Sequence, residues 1–353
     1  LLFGLFLDRL RGKLFGVTAM IRYPLRLLTV QQAQRAAKVL AQAELVRQRQ
    51  LYDGEPFSIG FWVGSGGSPN RLSDKAVADV PAVGRVSLSE DTLRNEDANY
   101  NAANKAWNKL PFCPFCGSQT GLRRFPSNGG LLGHVCTKKE CLWNKGSEVP
   151  LPFYICDEDI YAVVPSVLLG TVDKLALIGH SAGTIRRVLG MFGVAPWQKV
   201  DTGRLHSPTV RELKEGPDKH KCQTIFPAYN GGVRLFKDPF PALIIQDEAH
   251  LLDESLGTFA GLFESTFDAI LTELSKHMGD IIAVDNYGRR RRAKVVAASA
   301  TVSEPERQLE HLYQRKIPAL QFPFPGPNIY QSFYASPDPP NSDEIYRVAL
   351  PPE

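Results

Sequence analysis

What this chain lacks narrows its class before any motif is read. It has no apolar run approaching the ~20 residues that a membrane helix needs. The opening run Leu1–Leu7, apolar apart from Gly4, stops at Asp8 and Arg9. That opening also lacks an initiator Met and a basic leader, so it does not fit a secretory signal. The expectation is a soluble, cytoplasmic chain with no membrane partner, whose start is the middle of a longer protein. Neither sign of charge dominates: 41 Lys and Arg against 37 Asp and Glu leave +4, which permits a nucleic-acid partner without requiring one. Nor is there a Gly-x-x-x-x-Gly-Lys-[Ser/Thr] phosphate loop; the Gly-Lys pair at Gly12-Lys13 is followed by Leu14. Cysteine is scarce, six in 353 residues, yet four fall between positions 113 and 141. Without a secretory signal, that clustering favours metal over disulfides.

What is present has the rhythm of a parallel α/β sheet. Val17–Ile21 is apolar and partly β-branched, as a buried strand would be. Ala33–Leu51 is rich in Ala, Gln, Leu, Glu and Arg without Gly or Pro, which predicts a helix. Ser58–Gly64 predicts the next strand, closed by the turn Ser65-Gly66-Gly67-Ser68-Pro69-Asn70. Residues 71–110 are polar and weakly periodic and read as a surface excursion ending in a short helix. After the cysteines the rhythm returns at Leu151–Ile155 and Val163–Gly170. Two further buried strands are expected at Ala242–Ile245 and Lys294–Ala298, with a helix over Leu262–Met278 between them. The stretch 194–241 carries no assignable pattern. The proline-rich 321–353 reads as a linker. This gives four parts: 1–110 and 151–320 as the two pieces of one α/β lobe, 111–150 as a cysteine module, and the terminal linker.

The strongest catalytic pattern is Leu243-Ile244-Ile245-Gln246-Asp247-Glu248-Ala249-His250. An apolar strand delivers two carboxylates to its C-terminal end, where open α/β sheets bind ligands. Nucleotide hydrolysis uses such a pair, one carboxylate holding Mg²⁺ and the next accepting a proton from the attacking water. Asp247 is assigned the metal and Glu248 the base. The alternative is a plain Asp-Glu helix cap. Downstream, the strand Lys294–Ala298 runs into Ser299-Ala300-Thr301, which places two hydroxyls at the end of a neighbouring strand. The cysteines form Cys113-x-x-Cys116 and Cys136-x-x-x-x-Cys141, two knuckles that can wrap one tetrahedral Zn²⁺ with no open position and hence a structural role. Gly117 suits the tight turn of the first knuckle. His134 is a weaker alternative ligand, and Cys156 and Cys222 read as plain thiols.

Asp-Glu-Ala-His followed by Ser-Ala-Thr resembles the second and third signature motifs of superfamily-2 helicases. The likeness extends upstream. Pro24, Arg26, Leu28 and Gln31 resemble that family's backbone-gripping Pro-x-Arg-x-Leu-x-x-Gln pattern. Gly66-Gly67 falls at its glycine doublet, and Thr171-Val172-Asp173-Lys174 at its next backbone-contacting motif. A helix N-terminus, hydroxyls and one Arg make a phosphate cradle blind to base identity. The resemblance implies a RecA-like lobe with a mostly parallel sheet flanked by helices and an inserted four-cysteine zinc module. It also implies ATP and Mg²⁺ as cofactors, nucleic acid (DNA in particular) as partner, and His250, Ser299 and Thr301 as the residues coupling hydrolysis to strand movement. With no phosphate loop and no second lobe carrying an arginine finger, the chain by itself is expected not to turn over ATP. More narrowly, IRYPLRLLT, the cysteine insert, LPFYICDEDIYAVVPSVLLGTVDKLA and the stretch from Leu312-Tyr313 to FPFPGP resemble the helicase component of DISARM antiphage systems, the DrmA family. That implies further defence-system subunits as partners.

Three patterns compete. Gly179-His180-Ser181-Ala182-Gly183 matches a nucleophile elbow, with Asp253 and His277 available to complete a serine-hydrolase triad. No HGGG-type segment precedes it, however, and it explains neither the cysteines nor Ser299-Ala300-Thr301. Asp157-Glu158-Asp159 imitates a metal-binding pair but reads as a helix start. Arg289–Arg292 precedes its strand and reads as a solvated turn.

Overall fold

The computed structural model describes residues 1–322 except 25, 65, 66, 86, 95–97, 129, 173, 175–177, 179, 180, 219, 253, 300–303 and 315–318. Residues 1–301 form one compact unit and 302–353 a second, whose described part includes helix α10 (Pro305–Tyr313). Most of the linker expected at 321–353 lies outside the described residues.

The first unit is built on an eight-stranded sheet. Its strands are β1 (Ala19–Tyr23), β2 (Ile59–Trp62), β3 (Thr120–Phe125), β4 (Leu131–Cys136), β5 (Phe153–Tyr154), β6 (Val167–Thr171), β10 (Leu243–Gln246) and β11 (Lys294–Ala297), in the spatial order β11-β10-β1-β6-β2-β5-β4-β3. All pairings from β11 through β5 are parallel, whereas β3–β4 and β4–β5 are antiparallel. The mostly parallel α/β fold expected from the sequence is the one observed. β1, β2 and β6 are buried along their whole length, which is why they read as unbroken apolar runs rather than alternating ones.

The helices of this unit are α1 (Leu2–Leu10), α2 (Arg26–Arg49), α3 (Lys75–Ala78), α4 (Glu90–Arg94), α5 (Ala98–Trp107), α6 (Asp157–Val163), α7 (Ala182–Leu189), α8 (Val210–Glu215) and α9 (Glu254–Ser275). α2 starts earlier than its Ala-rich part suggests, at Arg26, the last residue of the YPLR segment. One core gathers Ile21, Tyr23, Phe61 and Leu169 with Ala33, Ala37 and Leu40 of α2. The other gathers Met20, Trp62 and Leu168 with Phe267 and Leu271 of α9. Among the described residues no helix is long and apolar enough to cross a membrane.

Two stretches that gave little pattern are structured. Residues 71–110, read as a surface excursion, carry α3 to α5 and bury Val77, Val80, Leu88, Tyr100 and Ala103. The 194–241 stretch holds a separate three-stranded sheet in the order β8 (Leu205–His206), β7 (Trp197–Lys199), β9 (Cys222–Thr224). Each contributes isolated apolar residues to a core, a pattern with neither helical nor strand periodicity.

Buried charge ties these layers together. Arg22 on β1 and Glu264 on α9 are both buried and form an ion pair, with Arg22 lying 5.6 Å over the ring of Phe263. Removing either partner would leave an uncompensated charge in the core. Lys13, fully buried, donates to the carbonyls of Val17 (2.7 Å) and Phe240 (2.8 Å) beside Asp8. At the start of α6, Asp159 accepts from Leu132 N of β4 at 3.0 Å, with Arg204 at 3.7 Å.

Burial holds the Asp159 carboxyl up to about 7, against the weaker pull of the Leu132 N–H and Arg204. The folded chain therefore binds this proton more tightly than the unfolded one. Asp159 contributes stability that grows as pH falls from about 7 toward about 4 and is lost on the way back up. Urea unfolding of the chain and of Asp159→Asn between about pH 8 and pH 5 is expected to show the difference in midpoint shifting in favour of the unaltered chain as pH falls. A pH-independent difference would contradict this account.

Candidate functional site

Parallel pairing of β11, β10, β1, β6 and β2 brings five strand ends to one edge of the sheet. Asp247 and Glu248 follow β10, Ser299 follows β11, Pro24 follows β1, Thr171 ends β6, and Gly67 lies in the turn after β2. This is the edge where open α/β sheets place their ligands.

The acidic segment is held by main-chain bonds to both neighbouring strands. Asp247 N donates to Arg22 O of β1 at 3.0 Å. On the other side Ala298 N donates to Gln246 O and Ala249 N to Ala298 O, each at 2.9 Å. The chain turns sharply between these anchors, and Glu248 sits in the left-handed region (φ 49°, ψ 47°). A β-carbon there costs of order 1 kcal/mol or more, a strain often found where a side chain must be aimed. Asp247 Oδ1 accepts from Glu248 N at 3.0 Å. Glu248 Oε2 lies 3.4 Å from His250 Nδ1, and Ser299 Oγ lies 3.3 Å from the same nitrogen. The side chains of His250 and Glu248 remain about a third exposed, at 30% and 35%. Tyr23, at the end of β1, has its phenol pushed up to about 12 by burial and then by the Asp247 carboxylate. A carboxylate reachable by water, a His and a Ser thus meet across adjacent strands. This arrangement can accept a proton and pass a change at Glu248 to β11. Thr301 and Ala300 lie outside the described residues.

Of the residues expected to meet a nucleic-acid backbone, Pro24 is half-buried beyond β1, and Gln31 is exposed near the start of α2. Arg26 opens α2, but its side chain lies outside the described residues, as do Gly66 and Asp173 entirely. Gly67 closes a turn with its N–H on Gly64 O at 2.9 Å. Thr171, opposite Tyr23 in the β1–β6 register, is fully buried, and its hydroxyl has no partner among the described residues.

Lys174 points inward, to Asp157 Oδ2 at 2.5 Å and Asn70 Oδ1 at 3.4 Å. Sequence reasoning took Asp157-Glu158-Asp159 for a helix start, and α6 does begin at Asp157. It missed that each carboxylate anchors a different distant segment. The available signal was the excess: a helix N-terminus is satisfied by one acidic residue and has no need of three.

The metal candidate is the group Cys113, Cys116, Cys136 and Cys141, whose sulfurs all lie within 4.8 Å of one another. Cys113 and Cys141 sulfurs are 3.7 Å apart and those of Cys116 and Cys136 3.4 Å. A tetrahedral ion with ~2.3 Å bonds to sulfur requires about 3.8 Å between ligands, and a disulfide about 2.05 Å. The donor set therefore fits one ion held by four sulfurs. Cys113 N donates to Ser118 O and Gly117 N to Cys113 O, each at 2.8 Å, and Gly117 (φ +80°) makes the left-handed turn that the first knuckle needs. In the second knuckle Lys138 N donates to Cys136 Sγ at 3.4 Å, and Asn144 Nδ2 holds the carbonyls of Cys136 (3.0 Å) and Lys138 (2.9 Å). Hydrogen bonding from the Cys113 thiol pulls Cys136 below the ordinary thiol range, while the same contact holds Cys113 above it. His134 is not a member of the group. It is fully buried edge-on to Phe153, and burial pushes its imidazole down to about 3. Cys156 and Cys222 also stand apart from it.

The competing patterns resolve into structural roles. Ser181 has extended backbone (φ −138°, ψ 120°), and its Oγ accepts from Thr184 N as the cap of α7, without the strained turn of a nucleophile elbow. Gly179, His180 and Asp253 lie outside the described residues, and His277 is exposed beside Glu273. The four arginines 289–292 pair with Asp285, Asp268, Asp238 and Asp268 in turn, so they brace the β11 approach.

These features define an α/β protein with a mostly parallel sheet flanked by helices, an acidic pair at a strand end and a four-sulfur cluster beside the antiparallel end of the same sheet. Its sequence is similar to the DISARM protein DrmA of Bacillus paralicheniformis (strain ATCC 9945a / NCIMB 11709 / CD-2), 30% identical over 327 residues that make up 91% of this chain and 26% of that protein. The chain thus spans about a quarter of the length of the curated relative it matches. The likeness to the DrmA family carried by a few phrases extends over most of the sequence. No family model matches the chain.

Elemental analysis of the purified chain is expected to give about one zinc per molecule, and Cys136→Ser to lose it together with several degrees of thermal stability. Full metal content in that variant would remove the four-sulfur assignment.

Proposed function

We propose that this chain is the first motor lobe of a superfamily-2, nucleic-acid-dependent ATPase of the DrmA type, working as a DNA helicase or translocase within a DISARM antiphage system alongside other subunits. The observation that carries the reading is the contact of Glu248 and Ser299 with one His250 nitrogen across neighbouring parallel strands. A helix cap does not need that contact, and a hydrolysis site linked to a second strand does. The similarity to the DISARM protein DrmA supports the same reading.

In this reading Asp247 would hold a hydrated Mg²⁺, which when bound would supply charge neutralisation for phosphoryl transfer. Glu248, aimed by its left-handed backbone, takes the proton from the attacking water. His250, Ser299 and Thr301 carry the resulting change to β11. Pro24, Arg26, Gln31, Gly66, Gly67, Thr171 and Asp173 line the route of the strand backbone. In this reading the phosphate loop and the arginine of the second lobe come from outside this sequence; the DISARM protein DrmA that it matches is about four times as long. The four cysteines hold a structural Zn²⁺.

In the longer protein, Glu248→Gln is expected to reduce nucleic-acid-stimulated ATP hydrolysis by at least about a hundredfold while leaving ATP binding unchanged. Turnover within threefold of the unaltered protein would remove Glu248 from the role of base.

A further inference from the structure

The first turn of α6 grips the segment after β2 from two sides. Asp157 N donates to Pro69 O at 3.3 Å, and Leu72 N donates to Glu158 Oε2 at 3.0 Å. Between these points Lys174 Nζ reaches both Asp157 Oδ2 (2.5 Å) and Asn70 Oδ1 (3.4 Å). One cation thus joins the turn after β2, the start of α6 and the segment after β6. Asp157 and Lys174 are both buried, so their pairing is little screened by salt, and loss of either would strand the other. Glu158 also meets Arg187 of α7 at 3.4 Å. Ser68 in the turn and Thr171 at the end of β6 are buried, and among the described residues neither hydroxyl has a partner. The carboxylates of α6 do hold both segments, through the bonds just given.

Resting on the reading that these two segments meet a nucleic-acid backbone, we propose that Asp157 and Glu158 are positioning residues for it. They fix the 67–72 turn and the Lys174 segment in the mutual register that phosphodiester contact requires, and neither carboxylate touches the strand. The sign of the effect separates this from a simple electrostatic role. Removing an anion near a phosphate site tightens binding if the anion only repels, and weakens it if the anion holds the cradle together.

The experiment measures binding of the full chain to a labelled mixed-sequence single-stranded DNA of about 20 nucleotides by fluorescence anisotropy, across a salt series. Asp157→Asn is expected to weaken binding by about tenfold, the size of one lost charged hydrogen bond, and to lower the salt slope by about one phosphate. Asp159→Asn, on the same turn of α6 but facing β4 and Arg204, is expected to bind within about threefold of the unaltered chain. If Asp157→Asn fails to fold by circular dichroism, Glu158→Ala releases the turn at Leu72 and decides in its place. Binding by Asp157→Asn, or by Glu158→Ala, that equals or exceeds that of the unaltered chain overturns the proposal while leaving the nucleic-acid reading standing. Failure of the unaltered chain to bind overturns both.

Discussion

The parallel pairing of β1 with β6 on one side and β10 on the other is the constraint from which the rest follows. In a parallel sheet every strand delivers its following loop to the same edge. Once β1 is buried in the middle, the loops after β2, β6, β10 and β11 have nowhere else to emerge. Chemistry drawn from five separate stretches of sequence is gathered by backbone direction alone. The cost is that the central strands need cover on both faces. α2 supplies it on one side, and α9, with its buried ion pair to Arg22, on the other.

Against that frame, the local departures from regularity have a common sense. The left-handed Glu248, the bond from Ala249 to Ala298, and the inward Lys174 all lie beyond strand ends, where the sheet no longer dictates the path. Regular pairing brings segments to within several ångströms of one another. The final register is then set by individual hydrogen bonds, several of them to buried carboxylates.

Much of this was legible in the sequence. Strands β1, β2, β6 and β10 announced themselves as apolar runs, and β11 did so ahead of its hydroxyls. The spacing of Cys113, Cys116, Cys136 and Cys141 gave a sulfur cluster that the coordinates bring together. Residues 71–110 and 194–241 were harder to read, because Val77, Val80, Tyr100 and Trp197 each enter a core singly from polar surroundings. The long-range ion pairs were out of reach for a different reason. Nothing near Arg22 points to Glu264, and nothing near Asp157 points to Lys174 or Asn70. An ion pair depends on proximity in space, and a single sequence records only proximity along the chain. The acidic run at 157–159 was visible, but its meaning was not.

The cysteine module is not a bead hung on a loop. Its two strands continue the main sheet through β5, where Gly133 pairs with Tyr154 and Leu151 N donates to His134 O. The outermost strand, β3, pairs along its whole length with β4, whose last residue Cys136 is one of the four clustered cysteines. Thiolates hold an ion only while they stay reduced, and a freed edge strand is a template for unwanted pairing with other chains. An oxidant that reached these four sulfurs would act at the far side of the sheet from the acidic pair.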